Sequence, residues 1–222
     1  MLRVILAGVL VGVAAVAVPP AAAAPQTCPP VCDEIPDTAW PEPWSIPMNG
    51  RYHWPRLAPL ARPVTDSTFK FEELCRSPRS PDDPRDYAVA AKAVVAHPAG
   101  QWQLQAQVLH WRGETWHGGE LANQVFSAAV AALQGCQAGA PEFSPSITTA
   151  AIDRVAAVIS GPQVVRQYLV VNPANSSIAE LVLWNTPGAD GAPPVRWPLV
   201  PDARVLEAID APLCAAYLGS CG

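Results

Sequence analysis

Gln101-Trp102-Gln103-Leu104-Gln105-Ala106-Gln107-Val108-Leu109-His110-Trp111 alternates polar and apolar side chains over most of its length. Period two marks a β-strand with one buried face, because successive side chains leave a strand on opposite sides. Trp102, Leu104, Ala106 and Val108 are expected to face a core, and the four glutamines to face away from it. The preceding run, Tyr87 to Ala96, is rich in Val and Ala, with Lys92 its one charge. The turn His97-Pro98-Ala99-Gly100 joins the two runs into a hairpin.

Downstream, Arg112 to Gly119 reads as a loop. Leu121, Ala122, Val125, Phe126, Ala129 and Leu133 then recur at helical spacing and form one apolar stripe. Gly135 stands where a left-handed C-cap belongs. Ile147 to Ser160 fits both periods; its second half, from Ile152, reads as a strand. Val164–Val171 is β-branched and apolar, Asn172 to Ser176 is a turn, and Ile178–Trp184 is the next strand. Residues 186–201 are rich in Pro and Gly. A final helix starts with Asp202 as N-cap, turns Val205, Leu206 and Ile209 inward, and kinks or restarts at Pro212. The order ββαβββα predicts an α+β domain over residues 87–222. It has an antiparallel sheet of about five strands packed on one face by two helices.

Upstream, residues 24–86 form a strap. Residues 25–86 carry half of the 26 prolines together with Trp40, Trp44 and Trp54. Proline forbids central strands and helix interiors, so extended coil with turns is expected. Three tryptophans are unlike a disordered linker. They imply rings buried against the domain or, in a second reading, a Trp/Pro surface that docks a partner.

Residues 1–23 read as a secretory signal peptide: Arg3, an uncharged run from Val4 to Val18, then small residues that allow cleavage after Ala23. Fifteen residues of helix rise only about 22 Å, short of the roughly 30 Å hydrocarbon core. Losing Arg3 moves the net charge from −5 to −6. That leaves no electrostatic footprint for nucleic acid and no basic stretch for an anionic membrane. The chain is expected to be secreted, in the medium or the cell envelope, without stable membrane insertion. All six cysteines, Cys28, Cys32, Cys75, Cys136, Cys214 and Cys221, follow the cleavage site, and an even count in an exported chain argues for disulfides. The favoured pairs are Cys28 with Cys32, Cys75 with Cys136, and Cys214 with Cys221. A rival pairing ties Cys28 or Cys32 to Cys214 or Cys221. The Cys28-x-x-x-Cys32 spacing fits neither a thioredoxin-type redox pair nor a zinc site.

From Cys75 through the hairpin, the helix ending Gly135-Cys136 and the terminal Cys-bearing helix, the chain resembles a group of uncharacterised secreted mycobacterial (actinobacterial) proteins. The nearest correspondence is at Cys28-Pro29-Pro30-Val31-Cys32-Asp33 and Gln101-Trp102-Gln103-Leu104-Gln105. That resemblance implies no activity. The order of elements is also similar to the extracellular sensor domain of mycobacterial receptor Ser/Thr kinases, which implies a twisted antiparallel sheet, flanking helices, disulfides and a ligand cleft. The strap departs from that pattern.

For function, His110, Trp111, Trp116, His117, Glu120, Trp184 and Trp197 are the candidate ligand-binding residues. Two imidazoles and a carboxylate around one strand-to-helix loop can bind a metal or move a proton, and tryptophan rings suit sugars or apolar ligands. No catalytic triad, metal site or cofactor motif is recognisable. Asp153 and Glu180 are a possible cross-strand carboxylate pair, and Asn175-Ser176-Ser177 is a glycosylation sequon. The leading expectation is a secreted, non-enzymatic binding or sensor-like module for a small molecule, glycan or protein. The rivals are a secreted hydrolase using His110, His117 and Glu120, and a protein-interaction factor acting through the strap.

Overall fold

The computed structural model describes residues 34–185 and 195–217. The signal-peptide segment and the Cys28–Cys32 and Cys214–Cys221 pairings lie outside them. Seven strands form one antiparallel sheet: β1 (Arg62–Pro63), β2 (Val89–Val95), β3 (Trp102–His110), β4 (Ser144–Ala150), β5 (Arg154–Ser160), β6 (Val165–Asn172) and β7 (Ser177–Asn185). Their order is β1-β2-β3-β7-β6-β5-β4. The fold is α+β, with seven strands where about five were expected. The additions are β1, which the strap lays along β2, and β4, from the segment of ambiguous period.

The helices are α1 (Asn49–Tyr52), α2 (Lys70–Cys75), α3 (Thr115–Gln134), α4 (Cys136–Gly139) and α5 (Asp202–Ala216). The long pair, α3 and α5, does not share a face of the sheet, contrary to expectation. On one face Trp102, Leu104, Ala106, Tyr168, Leu181 and Leu183 pack under Val205, Leu206, Ile209 and Leu213 of α5 and under Trp40, Ile46, Trp54 and Leu57 of the strap. On the other, Leu109, Val155, Ile159, Leu169, Ile178 and Val182 pack under Val125, Phe126, Ala129 and Leu133 of α3, with Phe69 and Phe71 at the start of α2. The cause lies in β6 and β7, which are apolar on both sides, so each side needs its own cover.

α3 starts at Thr115, earlier than its apolar stripe, and takes in Trp116, His117 and two glycines. A Cβ on Gly118 would lie 2.5 Å from Ser176 Oγ, and one on Gly119 2.5 Å from the Pro173 carbonyl oxygen. The missing side chains let α3 press onto the β6–β7 turn, a close approach that glycine alone allows. Gly135 caps α3 with φ −82°, not the expected left-handed conformation. α5 begins at Asp202 after Pro201 and carries Pro212 within it.

The strap has more regular structure than coil and turns. It crosses the α5 face, pairs with β2 as β1 and continues to the α3 face as α2. There Cys75 is bonded to Cys136 at the end of α3, as expected. Cys214 is also in a disulfide, with its partner outside the described residues. Trp40 and Trp54 are buried, and the Trp54 indole donates to the Pro47 carbonyl at 2.7 Å. Trp44 is 72% exposed.

Candidate functional site

The seven candidate residues do not form one cavity. Trp111 is buried, and its indole donates to the Pro84 carbonyl at 2.9 Å, so it belongs to the core beneath α3. His110 keeps the parity of Trp102 and stacks on Tyr217, after α5, at 4.1 Å. Burial holds its pKa below the usual histidine value. His110 Nδ1 is 3.0 Å from Ser177 Oγ, but Ser177 is fully buried and donates to the Asn175 carbonyl, so the pair is structural. His117, Glu120 and Trp116 are exposed on the first turns of α3, and the His117–Glu120 separation is 4.0 Å. Trp184 stands at the far end of β7, under the Lys70 ammonium at 5.1 Å. Trp197 packs on Trp102 on the opposite face. Among the described residues, no three His, Cys, Asp or Glu side chains are grouped to hold a metal.

Asp153 and Glu180 also stay apart. Asp153 pairs with Arg154 at 2.7 Å, whereas Glu180 sits in the middle of the sheet. Asn175 of the sequon is buried.

Two other arrangements stand out. The first lies on the glutamine side of β3, expected to face outward and found buried. Gln103, Gln105 and Gln107 are all buried: Gln103 bonds the β2–β3 turn through the His97 N–H and carbonyl, and Gln105 and Gln107 lie where residues 67–70 cross the sheet. Gln107 lies opposite Glu180, and Gln105 and Gln167 flank Val182 from either side. Glu180 Oε1 accepts from the Lys70 backbone N–H at 2.8 Å and from Gln167 Nε2 at 3.0 Å; Oε2 accepts from Gln105 Nε2 at 3.3 Å. Gln107 Nε2 and Lys92 Nζ donate to the carbonyls of Ser67 and Thr68, fastening the same segment. Burial raises Glu180 to about 7, outweighing these donors and the nearby Lys92 charge. A second knot pins α2: Arg85 bonds Glu72 at 2.6 Å and Asp83 at 2.7 Å, all three buried. Burial alone would push Asp83 up, but the Arg85 bonds and charge bring it down to about 2.

The second arrangement is open. Between the strap and α5 lies a groove of about 410 Å³, within the range of small-molecule sites. Trp40 forms its floor and Trp44 one wall; Ala208, Ala211, Pro212 and Ala215 of α5 form the other. Asp37, Glu42 and Arg56 rim it, and none of their side chains makes an ion pair or hydrogen bond among the described residues. A smaller recess continues past Arg56 to Leu57 and Ala58. Sequence reasoning noticed Trp40 and Trp44 but did not pair them with the terminal helix. The available signal was Ala208, Ala211 and Ala215, small residues at helical spacing opposite two tryptophans.

Compared with known proteins, the chain matches no family model, no curated protein and no solved structure.

Proposed function

We propose that this chain is a secreted, non-enzymatic ligand-binding module whose ligand lies in the groove between the strap and α5. One observation carries the reading: a sizeable concave surface holds an exposed tryptophan beside three charged side chains that have no partner among the described residues. Charged groups left unpaired in a cleft remain available to a ligand. Export is supported by the signal-like segment at residues 1–23 and the Cys75–Cys136 disulfide; no helix among the described residues is long and apolar enough to cross a membrane. The likeness to secreted mycobacterial proteins and to kinase sensor domains points the same way.

The test is a thermal-shift and Trp-fluorescence screen against cell-envelope extract fractions. At least one fraction should raise the melting temperature of the parent protein and leave Ala211→Phe, which fills the groove from α5, unmoved. Equal shifts in both proteins would place the ligand elsewhere.

A further inference from the structure

We infer that the groove takes a saccharide, stacked on Trp44 and hydrogen-bonded through its hydroxyls to Asp37, Glu42 and Arg56. This rests on the ligand-binding reading above and specifies its chemistry. Trp44 offers most of its ring to solvent at 72% exposure, although Trp40 beside it is buried to 5%. An indole held open over an apolar floor is a platform for a flat, weakly polar face, and the C–H face of a pyranose is such a surface.

The rim decides among ligand classes. An apolar chain would strip water from two carboxylates and a guanidinium without replacing the lost hydrogen bonds. A simple cation would meet Arg56, and a simple anion would meet Asp37 and Glu42. A neutral polyol suits both signs at once, since each hydroxyl donates to a carboxylate or accepts from the guanidinium. The carboxylates and the guanidinium are planar forks able to address adjacent hydroxyls in pairs. A free amino acid would also satisfy both signs but, like a single sugar ring, is short for a groove of about 410 Å³. The recess beyond Arg56 shares Asp37, Trp40 and Glu42 with the main groove. At about 10 Å³ that recess has room for no more than a water, so the main groove of about 410 Å³ sets the length of the site, and it suits a short chain of sugar rings.

The experiment uses protein recovered from an exporting host, titrated by calorimetry and Trp fluorescence. The saccharide probes are cellotetraose, maltotetraose, mannotetraose and chitotetraose. The comparison probes are phenylalanine, decyltrimethylammonium and a proline-rich decapeptide. At least one saccharide should bind saturably, and Trp44→Ala and Ala211→Phe should each weaken it about tenfold or more, the loss of one stacked aromatic contact. Arg56→Ala should weaken it less. Trp116→Ala, which removes an equally exposed ring outside the groove, should leave it unchanged. Saccharide binding that survives both Trp44→Ala and Ala211→Phe overturns the inference, as does no saccharide binding at all. If a comparison probe binds and is lost in Ala211→Phe, the groove stands as a ligand site and the saccharide inference alone falls. If no probe responds to Ala211→Phe, both fall.

Discussion

The two faces of the sheet are covered in different ways. On the α5 face the cover is apolar: four strap residues and four α5 residues sit on Trp102, Leu104 and Leu181, and the Trp54 and Trp102 indoles donate to backbone carbonyls. On the α3 face the cover beside β2 and β3 is polar, with Gln105, Gln107, Gln167 and Glu180 under α2 and the Arg85 knot beside them. Apolar contacts are undirected and leave a groove at the rim without loss to the core. Buried polar contacts stabilise only when each group has its partner; the paired charges of Arg85, Glu72 and Asp83 make that half of the molecule exacting, although Gln107 Oε1, Gln167 Oε1 and Ser67 Oγ have no hydrogen-bond partner among the described residues. The face that carries the open groove is thus the one whose stability depends least on particular bonds.

The largest test of this contrast is Arg85→Ala. It leaves Glu72 and Asp83 buried without their cation and should cost roughly 3 to 5 kcal/mol in urea denaturation. A loss under about 1 kcal/mol would show that the knot is not what holds α2 down. Next, the Cys75→Ser, Cys136→Ser double variant opens a link spanning 61 residues. In the chain-entropy account this lowers stability by roughly 4 kcal/mol at most, less where the unfolded chain retains structure.

Third is pH. The folded state holds the Glu180 proton up to about 7, whereas the unfolded chain releases it near 4.5. Stability from this group is therefore complete below 4.5 and is lost as pH rises through 7, by roughly 3 kcal/mol in all. His110, lowered by burial, titrates in the opposite sense, so the readout is the difference between parent and Glu180→Gln. The variant should lack the fall between about 4.5 and 7; identical profiles would remove Glu180 as the cause. The Asp83 contribution disappears only as pH drops from 3.8 through 2. The smallest effect is Trp44→Ala, exposed on the α5 face, which should change stability by less than about 0.5 kcal/mol. A loss above 2 kcal/mol would make that ring part of the core and break the contrast.

Much of the fold was legible along the chain. The β2–β3 hairpin, β5, β6, β7, both long helices and the Cys75–Cys136 pairing follow from period, turns and cysteine spacing. β4 was missed because Ser144–Ala150 contains Pro145, a bulge near Thr148 and alternate burial at a sheet edge. The inner side of Ala106 was readable, but the burial of Gln107 was not, since a second layer over the glutamines depends on a segment forty residues away. The seven candidate residues are spread over the fold for a related reason. His110 and His117 are close in sequence, yet a strand and the helix after it turn them toward different neighbours.

The alternation that places Trp102 and Leu104 inward, the helical stripe of α3 and the cysteines that join its end to the strap can be read along the chain. These are local properties, set by backbone geometry and residue type within a few positions. Folding alone sets α3 and α5 on opposite faces, buries Glu180 among glutamines and brings Trp44 to α5 across an open groove. Each of these joins distant segments in space, and no local propensity specifies which surfaces the folded chain will bring together.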